Sequence, residues 1–181
     1  MKTVVKRVGA KSVHKLALVS WSAGFASISK ILRVPKYYAM TDAVVLLDSL
    51  HSAYTSSGEV DTKMLSPFIR WATDASHEDK LMVMTHSAIV PPGYASSTEA
   101  TRAVLNAIEV PISDGLERDL GSESMRLSVR ADAGNLHVRG YRGQGPRDHF
   151  DHLHLVGEVL RNWLVPRWKT ERPRVYTPAG E

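Results

Sequence analysis

An α/β fold, a mostly parallel sheet with flanking helices, is what three observations in this sequence predict. Short apolar runs rich in Val, Leu and Met recur at residues 15–19, 43–47 and 81–85. The segments between them have helical periodicity, with apolar residues three and four apart. The runs themselves do not alternate polar with apolar residues, the pattern of strands covered on both faces and typical of parallel sheets.

Taken in order, the elements have chemical reasons. Only fourteen residues precede Lys15, enough for one short helix such as 3–8. The run 15–19 reads as the first strand. A helix with apolar Phe25, Ile28, Ile31 and Leu32 follows it at once, across a turn at Ser20-Trp21-Ser22-Ala23-Gly24. The second strand, 43–47, ends directly in Asp48, and the third, 81–85, runs into His86. Ser96-Ser97-Thr98-Glu99 supplies a capping box for a helix over 100–108. The polar stretch 110–124 predicts a surface loop with one turn of helix. Between Met125 and Tyr141 two short β-rich runs flank Asp132-Ala133-Gly134-Asn135, predicting a hairpin near the last strand. Asp148 or Asp151 can then cap a helix over 153–164. The assignment is one domain over residues 1–166, followed by a basic, proline-containing tail over 167–181 that reads as extended.

Composition narrows the function. At 181 residues and 43% hydrophobic content the chain can bury a substantial core as a single unit. The net charge of +4 arises largely near the ends, from Lys2, Lys6, Arg7, Lys11 and Lys15 and from Arg167, Lys169, Arg172 and Arg174. Only Trp163 and Trp168 lie among those charges, which is not the interleaving a nucleic-acid groove requires, so no nucleic-acid partner is expected. The absence of cysteine excludes disulfides, a thiolate nucleophile and cysteine-ligated zinc. No run approaches the ~18 apolar residues of a membrane span, and the N-terminus lacks an apolar signal core. No membrane partner is expected, and cytoplasm is the default location.

Four groups of residues carry possible chemistry. Ser22 stands on a tight strand-to-helix turn between two small residues, Ser20 and Gly24, a spacing that lets strand and helix approach closely. As plain helix caps, Ser20 and Ser22 would not need small residues on both sides. Asp48 directly follows a buried strand, where a carboxylate is either used or solvated. The stretch DHFDHLH, residues 148–154, offers His149, His152 and His154. His51 and His86 lie just beyond two strand ends. A metal-binding alternative exists, because His149, His152, His154, Asp148 and Asp151 are donor types suited to zinc, iron or manganese. That alternative leaves the serine turn unexplained.

The order Ser22, Asp48, His149 on this pattern of strands resembles the α/β-hydrolase superfamily, from its nucleophile elbow onward. Ser20 occupies a position where that family more often has glycine. The stretches LMVMTHSAIVPPGYASSTEAT and GNLHVRGYRGQGPRDHFDHLH are also similar to α/β-hydrolase-like proteins. The resemblance implies a serine hydrolase-like protein, esterase-like, acting on a small-molecule acyl ester or amide without a cofactor. Ser22 would be the nucleophile, Asp48 the acid, at an alternative position known in the superfamily, and His149 the base, with His152 as the alternative base. The Ala23 N–H would stabilise the oxyanion, and Trp21, His51 and His86 would form the site rim. No metal is part of this reading.

The chain departs from the family in one respect, since about four strands and the loop carrying the second oxyanion donor would precede the elbow. It therefore reads as a truncated or minimal α/β-hydrolase fold, weak or inactive by itself. Its first strand would then be a sheet edge, favouring a homodimer or a complementing N-terminal chain. A noncatalytic half-fold interaction module is the remaining alternative.

Overall fold

The computed structural model describes residues 13–115 and 125–170. The expected helix at 3–8, residues 116–124 of the polar stretch and the tail beyond 170 lie outside the described residues.

Six strands form one sheet. In chain order they are β1 (Ala17–Trp21), β2 (Ala43–Leu47), β3 (Leu81–His86), β4 (Ser113–Asp114), β5 (Leu127–Ala133) and β6 (Leu136–Tyr141). Their spatial order is β1-β2-β3-β6-β5-β4. β1, β2, β3 and β6 are mutually parallel, while β5 runs antiparallel to β6, and β4 antiparallel to β5. The hairpin expected between Met125 and Tyr141 is thus present as β5 and β6. Of the stretch expected to be loop with one helical turn, the described residues 110–115 include the two-residue strand β4, which pairs with Val129 and Arg130.

Helices wrap the sheet unequally. α1 (Phe25–Leu32), α2 (Pro35–Met40), α3 (Thr62–Ser76) and α4 (Ser97–Ala107) bury Ile28, Leu32, Tyr38, Leu65, Phe68, Trp71, Val104 and Leu105 against Val44, Leu46, Met82, Met84 and Val138. On the opposite face Ala43, Val45, Leu47, Leu81, Val83 and Tyr141 meet Leu155, Val159 and Leu164. Alternate residues of β2 therefore feed two different cores, which is why the strand carries no polar residue. The second face is covered by a continuous helical run. It comprises α5 (Pro146–Asp151), a 3₁₀ turn (His152–Leu155), α6 (Val156–Val159), a π turn (Leu160–Leu164) and α7 (Val165–Thr170). Helix starts at Pro146, earlier than the caps at Asp148 or Asp151 imply, because proline suits the first helical position. It also continues past Pro166 to Thr170, where the sequence reads as extended tail.

Burial separates the strands. β2 and β3 are buried throughout, whereas β1 has one strand neighbour among the described residues and leaves Val19 45% exposed. Two caps fix the helices that approach the site. Asp61 accepts hydrogen bonds from the N–H groups of Lys63 and Met64 at the start of α3. At α4 the expected capping box forms, with Glu99 N–H on Ser96 Oγ at 3.1 Å and Ser96 N–H on Glu99 Oε2 at 2.8 Å.

Candidate active site

The carboxyl ends of β1, β2 and β3 and the start of α5 converge on one cavity. Ser22 follows β1 in a 3₁₀ turn, Ser22–Gly24, that leads into α1. Its φ of 56° lies in the left-handed region, unusual for a residue with a side chain. Gly24 is required there, because a Cβ at that position would lie 2.9 Å from Ser20 Cβ. The turn is tied down by hydroxyl groups. Ser49 Oγ donates to the Ser22 carbonyl oxygen at 2.7 Å and, having given away its one proton, accepts from Ser20 Oγ at 2.7 Å. Ser20 thus supplies an anchor that glycine would lack.

Asp48 follows β2, also with a positive φ, 43°. The conformation is held by its N–H, which reaches the carbonyl oxygen of Thr85 at 3.0 Å and the Thr85 hydroxyl at 3.1 Å. Its carboxylate is fully engaged. Oδ1 accepts from Ser87 N–H at 2.9 Å and from the Ser97 hydroxyl, while Oδ2 accepts from His149 Nδ1 at 2.7 Å. Burial alone would raise this carboxyl, but the His152 ring nearby, the Ser97 hydroxyl, the His149 ring and the Ser87 N–H outweigh it and hold the group at about 2. Burial pushes His152 down to about 4, so at neutral pH it carries no charge. The hydrogen bonds are then what keep Asp48 ionised.

His149 lies in α5 with its ring stacked on Trp21, centroids 4.5 Å apart and planes 28° apart. Trp21 also donates its indole N–H to the His149 carbonyl oxygen at 2.8 Å. The last residue of β1 therefore positions the histidine through both ring and backbone. With Nδ1 committed to the carboxylate, Nε2 is the nitrogen left for proton transfer. Ser22 Oγ makes no hydrogen bond among the described residues, yet Ser22, Asp48 and His149 all line a cavity of about 200 Å³, with Ser87, Pro91, Ser97 and Pro146 in its wall. A second cavity of about 330 Å³ adjoins it, lined by Ser22, Ala23, Phe25, Ala53 and Met64; His51 and Tyr94 belong to both.

The other histidines separate. His152, the alternative base, is fully buried, with Nδ1 on the Thr85 hydroxyl at 2.7 Å and Nε2 without a partner. It meets Asp48 only through Thr85, and it opens onto neither cavity. His154 is exposed. His86, expected on the rim, is instead 4% exposed beneath it, with Nδ1 near the Thr98 hydroxyl at 2.8 Å and its ring packed over Gly140. His51 does line the cavities. Asp148 turns back to accept the Gly145 N–H at 2.8 Å. Consequently the donors at 148–154 diverge, and among the described residues no three His, Cys, Asp or Glu side chains gather into a metal-ligand set.

Ser49, Ser87, Ser97 and Thr85 are the site residues that sequence reasoning does not single out. Ser97 reads as part of a helix cap and the others as polar loop or strand-end residues. Their only signal is position, each within two residues of a strand or helix end. No helix of the described residues is long and apolar enough to cross a membrane. Comparison with protein-family models, curated proteins and solved structures finds no match to this chain.

Proposed function

We propose that the chain is a serine hydrolase-like protein of the α/β-hydrolase type, cleaving a small acyl ester or amide through Ser22, His149 and Asp48. The observation that carries this reading is the 2.7 Å contact from His149 Nδ1 to an ionised Asp48, in the wall of the same cavity as a serine held at φ 56°. Ser22 Oγ attacks the acyl carbon while His149 Nε2 takes its proton. His149 then returns that proton to the departing alcohol or amine. In the second half-reaction it takes a proton from water, which attacks the acyl-serine, and Ser22 regains its hydrogen. Asp48 keeps the imidazole in the tautomer with Nδ1 protonated and stabilises the imidazolium. The Ala23 N–H, at the start of the 3₁₀ turn, is one oxyanion donor.

A second donor is not assigned, and its absence lowers turnover by about 100- to 1,000-fold in enzymes where one has been removed. Among the described residues β1 has no strand on its outer side, so a second copy or a complementing chain is the expected source. Where the source is a second copy, turnover per chain is expected to rise with protein concentration. The test is hydrolysis of p-nitrophenyl acetate and butyrate by wild type and Ser22→Ala across a range of concentrations. The reading expects turnover that Ser22→Ala abolishes, and equal turnover in the two proteins contradicts it.

A further inference from the structure

We infer that His51 recognises substrate by accepting a hydrogen bond from an N–H or O–H group next to the scissile carbonyl, so that preferred substrates are 2-hydroxyacyl or 2-acylaminoacyl esters. The inference rests on the hydrolase reading above and names its substrate class.

The two cavities meet at Ser22, His51 and Tyr94. On one side Phe25, Ala53 and Met64 form an apolar wall; on the other stand Asp48, Ser87, Ser97 and His149. An acyl chain fits the first and a leaving group the second. The seam between them therefore faces the first atoms on either side of the scissile carbonyl.

The state of His51 in that seam follows from its partners. Nδ1 lies 3.3 Å from the Ala95 carbonyl oxygen, and a carbonyl oxygen only accepts, so the ring proton is on Nδ1. Phe25 and Tyr94 hold the ring edge-on, with centroids 5.8 Å and 5.3 Å away. Burial lowers the imidazole below its ordinary range. The ring is therefore neutral near pH 7, and Nε2 carries a lone pair with no protein donor among the described residues. Such an atom cannot stabilise an oxyanion. It repels a carboxylate or carbonyl oxygen and favours a donor, and a site with an acceptor in place discriminates against analogues that lack the donor. His149 has the same tautomer but its Nε2 is required for proton transfer. The two histidines divide the work, one for the proton of Ser22 and one for the substrate.

The experiment compares methyl hexanoate with methyl 2-hydroxyhexanoate and methyl N-acetylalaninate in two measurements. In kcat/KM, wild type is expected to prefer the donor-bearing esters by about ten-fold. His51→Phe brings that ratio to within about three-fold, and His51→Gln, whose Oε1 accepts, restores part of it. In the ¹⁵N imidazole spectrum of Ser22→Ala, the His51 Nε2 resonance is that of an unprotonated nitrogen, and it shifts with the donor-bearing esters but not with methyl hexanoate. An unchanged ratio in both His51 variants, a protonated Nε2, or equal shifts with all three esters overturns the inference. Covalent labelling of Ser22 by a fluorophosphonate separates the two claims. Labelling without donor preference removes the role of His51 alone. A donor-dependent Nε2 shift without labelling removes the hydrolase reading and leaves His51 as a binding residue.

Discussion

Asp48, at the carboxyl end of β2, is 2% exposed and has both carboxylate oxygens and its N–H engaged, whereas Ser22, at the end of β1, is half-buried with no hydrogen bond on Oγ among the described residues. The strands that carry them differ in the same sense. β2 lies inside the sheet with partners on both sides, while β1 has one strand neighbour among the described residues. Both residues hold a positive φ, a conformation that persists only where surroundings impose it. At Asp48 the Thr85 backbone and side chain do so. At Ser22 the hydroxyls of Ser49 and Ser20 do so, through the main chain alone. The difference is between a carboxylate and an imidazole that are fixed by their partners and a serine whose main chain is held in place while its side chain borders the cavity.

The largest effect is expected where the closed end is altered. Asp48→Asn keeps the shape but removes the charge and the tautomer control, and turnover of a p-nitrophenyl ester should fall by about 10⁴-fold with the chain still folded. A drop of less than about ten-fold would mean that the carboxylate is structural and that the comparison has misplaced the chemistry.

Next comes the buried histidine behind it. His152 has a usual imidazole pKa of 6.5 in the unfolded chain and about 4 when folded. Between those values the unfolded chain binds the extra proton, so stability is lost as pH falls from about 6.5 to 4, by roughly 3 kcal/mol in total. His51, His86 and His137 are lowered too and act in the same direction. Asp48 follows at lower pH. Its stabilisation is present above about 4 and is lost as pH falls through about 2. Urea unfolding of His152→Phe between pH 7 and 4.5 should therefore show a shallower slope than wild type. An identical slope would place the His152 titration outside the folding equilibrium.

At the open end, Ser49→Ala deletes the donor on the Ser22 carbonyl. A loss of about 1–2 kcal/mol in stability is expected. Phosphonate labelling should also slow by about ten-fold, because the elbow relaxes. Normal labelling would show that the turn needs no anchor. The smallest effect belongs far from both ends, on the hairpin. Asp132 pairs with His137 at 2.7 Å and Arg139 at 2.9 Å on an exposed surface, and Asp132→Asn should change stability by under about 1 kcal/mol and turnover not at all.

The two strand ends also differ in how legible they are. Ser22 and Asp48 stand out in sequence because each interrupts an apolar run with a residue the core would not choose, and the small residues around Ser22 mark its turn. Which histidine meets Asp48 is harder. His149 and His152 lie three residues apart, and the choice depends on a helix start that Pro146 sets and that the aspartates at 148 and 151 disguise. The structure puts one ring over Trp21 and the other in the core. The serine network is not legible, since Ser49, Ser87 and Ser97 look like ordinary loop and cap residues until β2, β3 and α4 bring Ser87 N–H and the Ser97 hydroxyl to the Asp48 carboxylate and the Ser49 hydroxyl to the Ser22 carbonyl oxygen. Nor does LALV differ visibly from VVLL, although the first is half-exposed and the second buried. Burial of a strand depends on its neighbours in the sheet, which local pattern does not encode.

The most direct measurement is intact-mass analysis after exposure to a fluorophosphonate, followed by peptide mapping, on wild type, Ser22→Ala and Asp48→Asn. A nucleophile poised by His149 and Asp48 predicts a single adduct on Ser22, absent from Ser22→Ala and formed at least about 100-fold more slowly in Asp48→Asn. Equal labelling of wild type and Ser22→Ala, or no adduct on any of the three proteins, would contradict it.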